Sequence, residues 1–136
     1  MPYINVTVAG KSDSALSTGI AQRVTELTKE HLQKDPTVTA VAITFVAPEN
    51  WFVGGQSLAS QNANSFWLDI KVTQGTNTKL QLAAYLEAIF KEMTRLLNSV
   101  HADSYILVHE VPASAWGFSG KTQEYRFIAG LLTPAR

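Results

Sequence analysis

The chain repeats itself. Residues Tyr3-Ile4-Asn5-Val6-Thr7-Val8 resemble Trp67-Leu68-Asp69-Ile70-Lys71-Val72 at an offset of 64 residues. Further on the offset is 65, matching Val41 with Ile106, Ile43 with Val108, Val46 with Val111, Trp51 with Trp116 and Gly55 with Gly120. One extra residue in the first turn of the second half, Thr73-Gln74-Gly75 against Ala9-Gly10, accounts for the slip. Two halves of similar plan therefore make up one chain, and any fold must satisfy both.

Each half opens with period-two alternation, Ile4, Val6 and Val8 against Tyr3, Asn5 and Thr7, as in a strand with unlike faces. Ser12 or Asp13 is the expected N-cap of a helix carrying Leu16, Ile20, Val24, Leu27 and Leu32, ending near Lys34 before Asp35-Pro36. A second strand is expected over Val38 to Ala47, then a hairpin at Trp51-Phe52-Val53-Gly54-Gly55. The second half gives a strand over Phe66–Val72, a helix from about Thr78 to Leu97 and a strand over Tyr105–Val111. A crossover of this length makes the two strands of each half parallel with the helix on one face. The expected fold is α+β: a tandem β-α-β repeat forming a four-stranded mixed sheet with two helices on one face. One domain, 1–136, is expected, with repeat 1 at about 2–56, a Ser/Asn/Gln linker at 57–65, repeat 2 at about 66–121 and a C-terminal segment at 122–136. The second sheet face also carries apolar residues, so assembly with other subunits is expected.

Composition narrows the function. The 136 residues are 46% apolar, enough for a core, and eleven basic side chains balance eleven acidic ones. With no Lys/Arg cluster, neither nucleic acid nor a membrane surface is an expected partner. Cysteine is absent, which excludes thiolate nucleophiles, disulfide scaffolds and cysteine-ligated metals. The first residues lack the basic and apolar regions of a signal peptide, and no apolar run reaches membrane-spanning length, so a cytoplasmic protein is expected. His31, His101 and His109 show no metal-ligand spacing, so neither metal nor cofactor is expected. Ala115 to Thr122 mimics a phosphate-binding loop, but Ala115 stands where that pattern needs Gly and only fourteen residues follow.

Pro2 follows Met1 directly. Removal of the methionine leaves a secondary amine at the terminus, and desolvation or nearby cations lower its pKa toward neutrality. A base poised near working pH is what acid–base catalysis needs. Met-Pro alone is equally a processing signal. With the order of elements, the Pro2-Tyr3-Ile4 start, Gly10-Lys11-Ser12-Asp13, Trp51-Phe52-Val53-Gly54-Gly55, Trp116-Gly117-Phe118-Ser119-Gly120 and Gln123-Glu124-Tyr125, the chain resembles the tautomerase superfamily. The likeness is to 4-oxalocrotonate tautomerase and to fused two-repeat members such as malonate semialdehyde decarboxylase.

That resemblance implies a homotrimer of two-unit subunits, Pro2 as the catalytic residue, and a small carbonyl or enol substrate handled without a cofactor. It implies substrate-binding roles for Lys11, where the family has an arginine after the first turn, for Tyr105, which falls by the repeat on the strand-two ligand position, and for Trp116, the aromatic wall. The family's other arginine positions carry Ala40, Thr73 and Gly75 here. Three readings follow. The first is a cofactor-free tautomerase using the prolyl amine as acid and base. The second is the same fold with a protonated proline acting in hydration, dehalogenation or decarboxylation. The third is a non-catalytic trimeric binding protein.

Overall fold

In a computed structural model the structure describes residues 1–133. Strand β1 (Tyr3–Ala9) leads to helix α1 (Ser14–Leu32), a 3-10 turn at Pro36–Val38, strand β2 (Ala40–Val46) and a second 3-10 turn at Pro48–Asn50. A two-residue hairpin follows, β3 (Phe52–Val53) and β4 (Gln56–Ser57), then the short helix α2 (Leu58–Gln61). The second half repeats the order: β5 (Phe66–Thr73), α3 (Lys79–Leu96), β6 (Tyr105–Val111), hairpin β7 (Gly117–Phe118) and β8 (Lys121–Thr122), and helix α4 (Gln123–Leu132).

The main sheet has the order β2-β1-β5-β6. Within each half the strands are parallel, and the central pair β1 and β5 is antiparallel, with Tyr3 opposite Lys71 and Val8 opposite Phe66. The mixed sheet expected from the repeat is thus observed, with α1 and α3 together on one face. The antiparallel centre has a consequence for the site: the start of each half lies beside the end of the other half's first strand, with the end of its second strand one strand further along the same edge.

The core lies between that face and the helices. Ile4, Val6 and Val8 from β1 and Phe66, Leu68, Ile70 and Val72 from β5 are at most 1% exposed. They meet Ile20, Val24, Leu27 and Leu32 from α1 and Tyr85, Ile89 and Met93 from α3. Each such aliphatic side chain contributes about 1.5–3 kcal/mol by leaving water. Burial raises the pKa of the Tyr85 phenol to about 12, against a smaller opposing effect of Thr28. Its hydroxyl lies 2.8 Å from Thr28 Oγ1, which itself bonds the Val24 carbonyl at 2.7 Å. Replacing Tyr85 with Phe therefore leaves Thr28 satisfied, and chemical denaturation should show a loss of only about 1 kcal/mol. A loss several times larger would mean that the hydroxyl organises the interface between the helices.

Local chemistry sets the boundaries. Asp13 caps α1 by accepting from the Ala15 and Leu16 amides, and Thr78 and Gln81 form a reciprocal capping box on α3. Helix α1 ends at Leu32 because Gln33 turns left-handed, φ 54°, two residues short of the expected Lys34. Strand β2 starts at Ala40 rather than Val38, since the Asp35 carboxylate accepts the Thr37 amide and holds Pro36–Val38 in a 3-10 turn. Both hairpins turn on two residues of positive φ, Gly54 (62°) with Gly55 (78°) and Ser119 (54°) with Gly120 (82°). The mimic of a phosphate loop is the second of these hairpins.

Two segments differ from expectation. The stretch 57–65, expected as a linker, carries α2, and its Leu58 and Ser65 are completely buried. The C-terminal segment, for which no element is expected, forms α4; its last three residues, 134–136, lie outside the described residues.

Candidate active site

Pro2 is buried at the entry to β1, where its carbonyl accepts the Ala40 amide at 3.2 Å. By the antiparallel register this is also the end of β5 and β6, at Thr73 and Val111. A cavity of about 590 Å³ opens there, lined by Met1, Thr73, Thr76, Ala113, Gln123, Glu124, Arg126 and Phe127. Trp116 approaches the same end from the β7–β8 hairpin, its indole Nε1 donating to Thr73 Oγ1 at 3.4 Å. The backbone of that segment then docks α4: the Gln123 amide donates to the Trp116 carbonyl and the Glu124 amide to the Ala113 carbonyl, both at 3.0 Å.

The electrostatics of this pole are set by cations to which sequence reasoning gave no role. Lys34, half-buried just after α1, donates to Thr76 Oγ1 at 2.8 Å, and burial lowers its pKa. Arg126 on α4 stacks over Phe118, 4.4 Å from the ring centroid. The amine that begins the chain, on Met1, is held below its ordinary value chiefly by burial, then by the charges of Lys34 and Arg126, with Asp35 opposing.

The other residues singled out from the sequence lie elsewhere in the subunit. Tyr105 starts β6, at the end opposite Val111, about 20 Å away at the usual rise of a strand. It is 57% exposed, on the sheet face away from the helices, with its ring 5.9 Å from that of Trp67. Lys11 is exposed beyond the far end of β1. Within one chain, then, only Trp116 of the three expected substrate-binding residues shares the end of Pro2. Two further lysines are already engaged: Lys71 pairs with Asp69 at 2.7 Å and Lys121 lies 5.0 Å from the Tyr125 ring centroid.

The opposite pole is the counterpart of the first under the repeat. A cavity of about 370 Å³ lies there among Trp51, Phe52, Trp67, Asp103 and Tyr105. Phe66 begins the strand at this pole as an internal residue, whose backbone nitrogen is an amide with no basic lone pair. Among the described residues no three His, Cys, Asp or Glu side chains come together to hold a metal, and no helix is long and apolar enough to cross a membrane.

A first strand entered directly from Pro2, a β-α-β unit, its fused copy and an aromatic hairpin at the shared end define a tautomerase-type fold. Residues 2–61 match the family of tautomerase enzymes. The whole chain superimposes on Pt0534 inactivated by 2-oxo-3-pentynoate, with a TM-score of 0.80, 13% identity, and coverage of 91% of this chain and 98% of that one. A wild-type fused 4-OT solved as an asymmetric trimer gives a TM-score of 0.77, 14% identity, and coverage of 91% and 98%. The macrophage migration inhibitory factor-like protein of Entamoeba histolytica gives 0.73, 17% identity, and coverage of 89% and 97%. No curated protein matches the sequence. Residues 2–61 thus match the tautomerase family, and the chain as a whole has the tautomerase fold, with two β-α-β units fused in one subunit.

Proposed function

We propose that the protein is a cofactor-free tautomerase in which Met1 is removed and the freed Pro2 nitrogen moves a proton on a small keto–enol substrate. The observation that carries this reading is the setting of the chain start: the half-buried Met1 amine, near the charges of Lys34 and Arg126, is shifted toward its neutral form, and removal of Met1 leaves the Pro2 nitrogen at the same end of the sheet. The neutral nitrogen takes a proton from the carbon beside a carbonyl. The carbon–hydrogen bond breaks, its electron pair forms the enolate, and the prolyl ammonium returns the proton to the oxygen. Cations nearby favour the negative charge that develops on that oxygen. The same cations disfavour a protonated proline in the resting enzyme, so the tautomerase reading stands ahead of hydration, dehalogenation or decarboxylation. Trp116 supplies an apolar wall at the same end of the sheet.

The exposed sheet face supports the homotrimer. Tyr3, Trp67, Tyr105 and Leu107 lie on it, each more than 40% exposed in a single chain. In such a trimer, Lys11 and Tyr105 could reach a prolyl site only from a neighbouring subunit, the role proposed for them here.

Processing is the first test. Intact mass should show a chain lighter by one methionine. A retained Met1 would make the Pro2 nitrogen an amide and remove the proposed base.

A further inference from the structure

The cavity lined by Met1, next to Pro2 in the chain, contains a polar group without a partner. Gln123, the first residue of α4, is 8% exposed and lines that cavity, and its Nε2 is buried without a hydrogen bond. An amide nitrogen withheld from water and unpaired costs about 1–3 kcal/mol. The orientation of the amide is fixed by its neighbour: Arg126 Nη1 donates to Gln123 Oε1 at 3.1 Å. Turning the amide over would set two donors against each other, so Nε2 is the end left free.

Arg126 is placed for a second partner. Its guanidinium spends one donor on Gln123 and lies over the Phe118 ring, and among the described residues no carboxylate lies within 4.0 Å of it. The backbone amides at the start of α4 are already taken, by the Trp116 and Ala113 carbonyls and by Thr122 Oγ1. What this end of the helix offers a ligand is therefore the two side chains. One is held by a hydrogen bond and the other also lies over a ring, and together they present N–H donors to the cavity that Met1 lines.

We propose that Gln123 and Arg126 form a carboxylate subsite, with the guanidinium pairing to the carboxylate of the substrate and Gln123 Nε2 donating to one of its oxygens. The proposal deepens the reading of Pro2 as the base, on which its link to catalysis rests, and it names the substrate class as a small monocarboxylate with an oxo or enol group near the acid. Phe127 and Ala113 on the cavity wall suit an apolar body. Glu124, exposed on the same wall, disfavours a second carboxylate there, so a dicarboxylate fits less well. Removal of Met1, which also lines the cavity, enlarges the space in front of these donors.

The test uses ligands that cannot react. The affinities of 3-phenylpropanoate and neutral 3-phenylpropanamide are measured by calorimetry for the processed wild type, Gln123→Leu, Arg126→Met and Pro2→Ala. The wild type should prefer the carboxylate at least tenfold. Arg126→Met should abolish the preference, and Gln123→Leu, which keeps the side-chain volume and the backbone bonds of α4, should reduce it severalfold. Pro2→Ala should retain it. Equal affinity for the two probes in the wild type would overturn the subsite, as would an undiminished preference in Arg126→Met and Gln123→Leu variants whose melting curves match the wild type. Failure of Pro2 as the base would show instead as turnover of phenylpyruvate unchanged in Pro2→Ala, so the two outcomes are separable.

Discussion

Replacing Pro2 with Ala should lower kcat/KM for the keto–enol conversion of phenylpyruvate by about 10²–10⁴-fold, the usual worth of a positioned acid–base group. The fold should survive, because Pro2 is anchored through its carbonyl, which accepts the Ala40 amide and which alanine retains. Alanine at this position is also small enough for Met1 to be removed. The substitution therefore changes the amine and little else: a secondary nitrogen fixed in a ring becomes a freely rotating primary one. The pH profile adds an independent reading. The neutral amine is the active form, and the setting that lowers the pKa of the Met1 amine should act on Pro2 in the same direction, so kcat/KM should rise with pH and level off below the ordinary value of a free prolyl amine. Equal rates for wild type and variant would remove Pro2 as the base, whatever the fold.

Replacing Leu107 with Glu should convert the proposed trimer into single chains. Leu107 lies in the middle of β6 on the open sheet face and is 43% exposed in the isolated subunit. A carboxylate sealed there by a neighbouring subunit would carry a desolvation penalty of several kcal/mol without a partner. The core behind the sheet is untouched, since Ile106 and Val108 point to the helices and Leu107 does not. Light scattering should give a mass near three times 14.9 kDa for the wild type and near 14.9 kDa for the variant. An unchanged oligomer would place the subunit contacts on another surface.

The architecture was legible because the repeat and the alternation of residues constrain each other. Ile4, Val6 and Val8 share a face by period two, the helix stripe supplies the opposing layer, and the offset of 64 residues doubles the unit. The second hairpin was legible in the same way, since Trp116 and Gly120 repeat Trp51 and Gly55. Where a side chain hydrogen-bonds to the local backbone, periodicity was silent: the Asp35 turn delays β2, and the left-handed Gln33 ends α1 early.

The site was less legible, for a topological reason. Pro2 stood out by its covalent chemistry, which needs no fold. Lys34 and the α4 pair Gln123 and Arg126 lie far from it and from each other in sequence, and are brought to one end because β1 runs antiparallel to β5 and so meets the end of the second half. A signal did exist. The offset of 65 that equates Trp51 with Trp116 also equates Ser57 with Thr122, and both prove to be N-caps of short helices, α2 and α4. Carried that far, the repeat places a helix after the second hairpin, with Gln123 and Arg126 on its first turns. The stretch 57–65 was misread on composition: its Ser, Asn and Gln residues obscure Leu58, the side chain that ties it to the interior.

The most direct measurement is a titration of the Pro2 nitrogen by ¹⁵N NMR in the processed protein, alongside Arg126→Met. The account predicts a pKa below that of a free prolyl amine in the wild type, rising toward that value once the guanidinium is gone. A nitrogen that titrates at or above the value of a free prolyl amine in the wild type would contradict it.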